Sequence, residues 1–360
     1  MKKKKMSLQK IRKEIDQLDA QLLDLLSRRS ALSEEVGRIK RVSGKAVFAP
    51  DREEVLLKNL EKKADGKLTP KAIRSIYREI LSASRLKQKQ LNIAYLGPEA
   101  SHSHQAALER FGKCDQYQPC QSIQEIFQVI SSEEADCGLV PIGNTIEGGV
   151  NASLDALIHS DLIICGEVYV KISHALMSAK RTSKIERIFS HPQAFGQCRQ
   201  WLAKHYPGVE CVEVSSTSEG ARRCKSEARS AAIAGKFAAD YYGLKVWKRN
   251  IQDMEKNMTR FLMMSRDLPA PTKQDKTSMI FALSHKVGAL NDVLQLFAKH
   301  KLNLEKIESR PVAHKPWEYL FFVDVKGHCQ QDPLKDALRK IQQNTLWLKV
   351  LGSYPQGQLD

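Results

Sequence analysis

No run of apolar residues here approaches the roughly 18 that a membrane-spanning helix requires. The basic start, MKKKK, leads into LQKIRKEID and not into an apolar segment, so no secretory leader is expected. The eight cysteines are scattered along 360 residues, with no CxxC pair and no Cys/His cluster at metal-ligand spacing. That scatter argues against a disulfide scaffold or a zinc site and fits a reducing compartment. No GxGxxG and no GxxxxGK[ST] run occurs, so nucleotide binding is not indicated. No GxSxG elbow supports a Ser-His-Asp triad. The expectation is a soluble, cytoplasmic protein without metal or cofactor and without a membrane partner.

What the chain has is length for two or three domains and a surplus of cations. Its 57 Lys and Arg against 41 Asp and Glu give a net charge of +16, so anionic ligands are expected. The Lys run suggests nucleic acid, but no aromatic interleaving or recognition-helix motif accompanies it, which excludes that class of partner. Three blocks of different texture follow. Residues 6–90 read as all-helical. Residues 92–268 alternate short apolar runs (IAYLG, CGLVPI, LIICGEV, AAIAG, RFLMM) with helical patterns, the α/β signature. PAPTKQDK, residues 269–276, reads as a polar linker. Residues 277–352 read strand–helix–strand–strand–helix–strand, the ferredoxin-like order.

The helical block carries polar residues where its period calls for apolar ones. Leu8, Ile11, Ile15, Leu18, Leu22, Leu25, Leu32, Val36 and Ile39 alternate in steps of 3 and 4, and Arg29 fills one seam position. A cation on an apolar seam snorkels to solvent or meets an anion. Lys40 falls about three turns on, on nearly the same face, whereas Arg12 is rotated away by roughly 260°. One helix does not aim both at one ligand; two copies of it in a dimer do. In the third helix Ile73, Tyr77 and Ile80 are followed at core spacing by Ser84 and Gln88, either a fraying end or a polar interior. Arg52 and Glu53 open the second helix at different azimuths. Together these groups describe a pocket for a small dianion.

The runs KIRKEIDQLDAQLLDLLSRRSALSEEVGRIK, DREE and SRLKQ resemble the AroQ-type chorismate mutase family over essentially all of residues 6–90. On that resemblance Arg29, Lys40, Arg52, Glu53, Ser84 and Gln88 occupy active-site positions, and Arg12 is the arginine donated by a partner chain. Lys40 and Gln88 would serve the breaking ether oxygen. Ala49 stands where some members carry an acid.

The α/β block raises its own question in KNMTRFLMMS, residues 256–265, where a buried strand opens on Thr259 and Arg260. Other strand ends carry Ser101–His104 after Gly97-Pro98, and Ser190-His191-Pro192, where free helix amides and hydroxyls favour an anion. His191 reads as a cap. The ordered motifs YLGPEASHSHQAA, VPIGNTIEGGV, SHPQAFGQC, AAIAGKFAADYYGL and NMTRF resemble prephenate dehydratases over about residues 92–268. The resemblance implies two doubly wound lobes with substrate between them. Thr259 would donate to, or orient the donor for, the leaving hydroxyl. Phe261 would line the pocket, and Asn144, Ser190 and Gln197 would supply polar groups. Arg260 would bind a carboxylate or lock the strand by an ion pair. Gly143 replaces the family's usual Glu, which leaves open a dehydratase-like module that only senses ligand.

In the last block KVGALNDVL and KIESRPVAHKPWEYLFFVDVKG resemble a phenylalanine-binding ACT domain. Gly288, Ala289 and Leu290 would take an amino-acid carboxylate at a helix start. Glu308, Ser309, Arg310 and Pro311 would close over it from a partner chain; alternatively Glu308 and Arg310 pair along an edge strand. The whole is similar to bifunctional chorismate mutase–prephenate dehydratases: multidomain, with chorismate and prephenate as substrates, L-phenylalanine as inhibitor, and a homodimer or dimer of dimers as the assembly.

Overall fold

The computed structural model describes residues 7–146, 148–180, 184–311 and 319–357. The Lys-rich start and part of the HKPWEY run read above lie outside them, as does Glu147 of the IEGG motif. Helix α1 spans Leu8–Ser43, α2 Pro50–Lys63 and α3 Pro70–Gln88. Their ends follow the local chemistry. Ser7 and Thr69 cap α1 and α3 by accepting from Lys10 N at 3.3 Å and Ala72 N at 3.2 Å. Pro50 and Pro70 occupy first-turn positions, and Gly44 in the left-handed region stops α1. Gly37 is the buried residue of α1. A Cβ there would lie 2.8 Å from Gln88 Cα, so only glycine lets α1 and α3 approach this closely.

The middle unit has two sheets. The first comprises β1 (Asn92–Leu96), β2 (Gln116–Cys120), β3 (Cys137–Asn144), the short β4 (Gly148–Gly149), β5 (Ile163–Lys171) and β11 (Met258–Ser265). They run β2-β1-β3-β11-β5, with β4 paired to β3 and β11 antiparallel to both neighbours. Helices α4 (His102–Phe111), α5 (Ile123–Ser131) and α6 (Asn151–His159) cover it. The second sheet takes β6 (Ala175–Ser178), β7 (Arg187–Ser190), β8 (Glu210–Glu213), β9 (Ser230–Ala234) and β10 (Lys245–Arg249) in the order β10-β6-β9-β7-β8. Its helices are α7 (Pro192–Gln197), α8 (Arg199–His205), α9 (Thr217–Ser226) and α10 (Lys236–Tyr242). The chain crosses between lobes after β5 and again before β11. The two crossings are tied together, Ile172 N donating to Asn257 O at 2.9 Å and Ile251 N to His174 O at 3.0 Å.

The last unit is β12 (Asp275–Ala282), α11 (Ala289–Lys299), β13 (Leu304–Pro311), β14 (Tyr319–Lys326), α12 (Leu334–Gln343) and β15 (Trp347–Pro355). Its antiparallel order β13-β14-β12-β15 is ferredoxin-like. The helices pack on one face, where Val293 and Phe297 meet Met279 and Val323. The other face presents Ile280, Phe322, Leu351 and Tyr354 to the first lobe, in one core with Leu262 and Met264 of β11. Asp275 and Lys276, read from sequence as linker, are instead buried in β12. The charge of Lys276 is matched across the unit boundary by Glu167, Nζ lying 2.9 Å from its Oε1, and within the unit by Glu305 at 3.0 Å; Asp275 accepts from Thr272 N at 2.8 Å.

Candidate active sites

The three helices enclose a cavity of about 360 Å³ lined by Arg29, Lys40, Arg52, Glu53, Ser84 and Gln88 among others. Arg29 donates to Ser84 Oγ and, at 3.5 Å, to Ile80 O. Ser84 Oγ in turn donates to Ile80 O at 2.7 Å. Lys40 Nζ donates to Val47 O at 2.8 Å. Gln88 Oε1 is buried without a hydrogen-bond partner. Burial lowers the pKa of Arg29 and of Lys40. For Arg29 no carboxylate opposes that effect; for Lys40, Glu53 and Asp51 offset part of it. Partly buried cations without a matched counter-ion are poised to take an anion.

Glu53 is different. It is buried, Arg85 donates to its Oε1 at 2.5 Å, and Arg110 donates to its Oε2 at 2.8 Å. Burial pushes its carboxyl upward, yet Arg110 and Arg85 outweigh this and hold it below the usual range. Arg12 is absent from the cavity. It sits exposed on α1, 17 positions before Arg29, which is about 25 Å along a helix at 1.5 Å per residue. The sequence reading missed Gly37, Arg85 and Arg110. Gly37 was visible as a lone glycine inside a heptad pattern.

At the lobe boundary, Asn144 at the end of β3 donates from Nδ2 to Thr259 Oγ1 at 2.9 Å and to Asn257 Oδ1 at 2.7 Å. Asn257 donates to Gln197 Oε1 at 3.1 Å, and His174 Nε2 meets that same oxygen at 2.8 Å. A polar chain therefore runs from Thr259 across the boundary to α7. Because Thr259 Oγ1 accepts from Asn144, its own proton is left to point elsewhere. Behind the chain, the rings of His102 and His174 meet edge to face at 6.4 Å. Burial, then His174, pushes His102 down to about 4, with Gln105 opposing. His102 Nε2 and His174 Nδ1 are buried and unpartnered. His174 and Asn257 were not singled out from sequence, although Asn257 lies two residues from Thr259.

Other expected residues are placed elsewhere. Ser190 is fully buried and donates to Ile233 O at 2.7 Å, a link between β7 and β9. His191 caps α7, accepting from Gln193 N at 3.3 Å. Phe261 does not face the cleft; it packs in the core with Tyr95, Leu139 and Met263. Successive strand residues point to opposite faces, so Arg260 turns away from Thr259 and Phe261. It is buried, with Nε donating to Glu167 at 2.7 Å, Nη1 to Asp324, and Nη2 to Tyr354 OH at 2.9 Å. The ion-pair alternative holds: Asp324 and Tyr354 belong to the last unit, so the strand is locked to it.

Gly143 stands opposite Arg260 in β3. A Cβ there would meet only ordinary contacts, Gly148 O at 3.5 Å and Lys306 Nζ at 3.8 Å. Lys306 pairs with Glu308 at 2.8 Å, and Glu308 presses on Gly149. Arg310 pairs with Asp155 of α6 at 2.8 Å. β13 is an edge strand, but Glu308 and Arg310 pair with other residues and not with each other. Gly288, at φ +84°, caps α11, which begins with Ala289 and Leu290. No hydrogen bond or ion pair among the described residues joins that helix start to residues 308–311 of the same chain. A second cavity of about 360 Å³ lies where the three units meet. The arginines on its wall are already matched, Arg74 by Glu54 and Glu61, Arg78 by Glu79, and Arg85 and Arg110 by Glu53.

Comparisons with known proteins follow this division. The chorismate mutase type II family matches residues 11–89, prephenate dehydratase residues 93–269, and the ACT domain residues 278–343. The bifunctional chorismate mutase/prephenate dehydratase of Aquifex aeolicus (strain VF5) is 42% identical over 357 residues, 98% of this chain and 99% of that one. The enzyme of that name from Stutzerimonas stutzeri is 42% identical over 359 residues, 98% of each chain. The crystal structure of prephenate dehydratase in complex with L-Phe from Arthrobacter aurescens is 33% identical with a TM-score of 0.67. It covers 74% of this chain and 90% of that one.

Proposed function

Because the chain belongs to the bifunctional chorismate mutase/prephenate dehydratase family, it carries both activities, and we propose how its residues divide them. The helical unit, about residues 6–90, rearranges chorismate to prephenate. The reaction breaks a C–O bond and forms a C–C bond within one molecule, so no nucleophile or proton transfer is needed. Arg29 and Arg52 hold the carboxylates of the folded substrate, which lowers the barrier by orientation. Lys40 and Gln88 donate to the ether oxygen as charge builds on it. Ser84 keeps Arg29 in place. The observation that carries this assignment is the convergence of these side chains on one cavity whose cations are incompletely neutralised.

Arg12 reaches the same kind of cavity in a second copy. The α1 seam is bare in one chain, with Leu18, Leu22 and Leu25 exposed by 63%, 53% and 59%. An apolar stripe of this length calls for a covering surface, and a second α1 supplies one.

The α/β unit, about residues 92–268, converts prephenate to phenylpyruvate between its lobes. The bond to the ring carboxylate breaks and CO2 leaves, its electron pair aromatises the ring, and the ring C–O bond breaks to release the hydroxyl. Thr259, oriented by Asn144, donates the proton that lets it leave as water. Gln197 and Asn257 keep Asn144 in register. The ACT unit, about residues 277–352, takes L-phenylalanine at the start of α11 and inhibits the dehydratase by linkage. Glu308 to Pro311 of a second copy complete that site.

The test is phenylpyruvate formation from prephenate with and without L-phenylalanine, in the native chain and in Thr259→Val. Native turnover suppressed by phenylalanine and lost in the variant supports the assignment. Conversion of chorismate without any conversion of prephenate would leave the second unit a sensor, and Gly143 its cause.

A further inference from the structure

The wall of the mutase cavity is not made by the helical unit alone. Glu53 opens α2, but Arg110, which grips its Oε2, lies on α4 of the dehydratase lobe. Arg85, which grips Oε1, is shared with Asp115 Oδ2 at 3.2 Å and with Phe111 O, both in that lobe. The Arg110 guanidinium also stands over the Phe48 ring at 5.3 Å and the Phe111 ring at 5.6 Å. Phe48 sits just before α2, so Arg110 is clamped between the two units. With both oxygens of Glu53 accepting from arginines, the place of that carboxylate is set by the next domain.

We propose that Arg110 is a positioning residue for the chorismate mutase reaction, reaching from the dehydratase lobe to fix the Glu53 carboxylate at the wall of the helical cavity. The proposal rests on the reading of Glu53 as a mutase-site residue. Without Arg110, one oxygen of Glu53 lies buried without its donor, and the carboxylate turns toward the cations left, Arg85 and Lys40. The mutase then loses a preset group, while Thr259 and Asn144 are untouched.

The full-length chain tests this through Arg110→Ala, Arg110→Lys and Glu53→Gln, each assayed for both activities. Arg110→Ala should lower mutase kcat/KM about tenfold, as expected for one charge-assisted hydrogen bond. It should leave dehydratase kcat/KM within about twofold, and Arg110→Lys should recover part of the loss. The acid limb of mutase kcat/KM should also move to higher pH in Arg110→Ala, because one of the cations holding Glu53 ionised is gone. Arg85, Asp115 and Lys40 still act on the Glu53 carboxylate, and Arg29 and Arg52 line the same cavity. Unchanged mutase kinetics in Arg110→Ala with a loss in Glu53→Gln would overturn the inference and keep Glu53. Unchanged kinetics in both variants would overturn the reading of Glu53 as well. A parallel fall of both activities with a lowered Tm would make Arg110 interdomain packing only, which also overturns it.

Discussion

Arg29 and Arg260 both stand in motifs of their sites, and their surroundings are opposite. Arg29 lines an open cavity, burial lowers its pKa, and its partners are a serine hydroxyl and a backbone carbonyl. Arg260 is sealed between units; burial works against its charge too, but Tyr354, Asp324 and Glu167 outweigh that and its pKa rises. The first is a cation waiting for an anion. The second has its anions built in. A motif arginine is therefore assigned by its charge balance and not by its place in a motif, and each prediction below probes that distinction.

The largest effect should come from Arg260→Ala. Removing it strands Asp324 without its cation and leaves Glu167 to Lys276 alone, both carboxylates being nearly fully buried. Breaking such a pair costs about 3–5 kcal/mol, read as a lower midpoint in denaturant unfolding. Normal stability with a raised KM for prephenate would instead make Arg260 a substrate-binding group and break the comparison. Arg29→Ala should do the reverse. We expect mutase kcat/KM to fall about 10²–10³-fold, as for loss of one aimed donor, with little change in unfolding midpoint. A matching loss of stability would mean Arg29 is structural after all. Thr259→Val should reduce dehydratase kcat about a hundredfold, the lower end for a positioned proton donor. Thr259→Ser should retain most activity, because Asn144 still has a hydroxyl to orient.

His102 provides a pH test. Its folded pKa, about 4, lies below the ordinary 6.5, so the neutral form is favoured on folding. Its contribution is complete above pH 6.5 and drains away as pH falls toward 4. His102→Phe should flatten the loss of stability across that window, measured by denaturant midpoints at each pH. The smallest effect belongs to Gly143→Glu. A side chain fits there, with Lys306 Nζ 3.8 Å from its Cβ. The new carboxylate should draw Lys306 from Glu308, shifting stability by less than about 1 kcal/mol. A change in phenylalanine sensitivity would show that this contact couples effector and catalyst.

Much of the helical site was legible because its signals are periodic. Arg29 interrupts a run of apolar seam positions, and Ser84 and Gln88 continue a core stripe with polar groups. The Arg12 azimuth likewise follows from helix geometry, and the structure leaves it far from Arg29 in one chain. The interdomain contacts were not legible. Lys276 reads as linker because nothing local distinguishes a buried lysine from an exposed one. Phe261 was expected at the pocket and Ser190 among the site's polar groups. The strand pleat and the β7–β9 link place both in the interior.

What the sequence determined by itself was the run of elements, their caps and the motif residues, since these depend on spacings of a few positions along the chain. What only the tertiary structure decided was which charges remain open. Glu53 and Arg110 are 57 positions apart, Arg260 and Asp324 64, Arg260 and Glu167 93, and Asn144 and Thr259 115. Whether a buried ion is satisfied depends on partners that folding brings from such distances, because in a low-dielectric interior only the neighbours within a few ångströms set the cost of its charge.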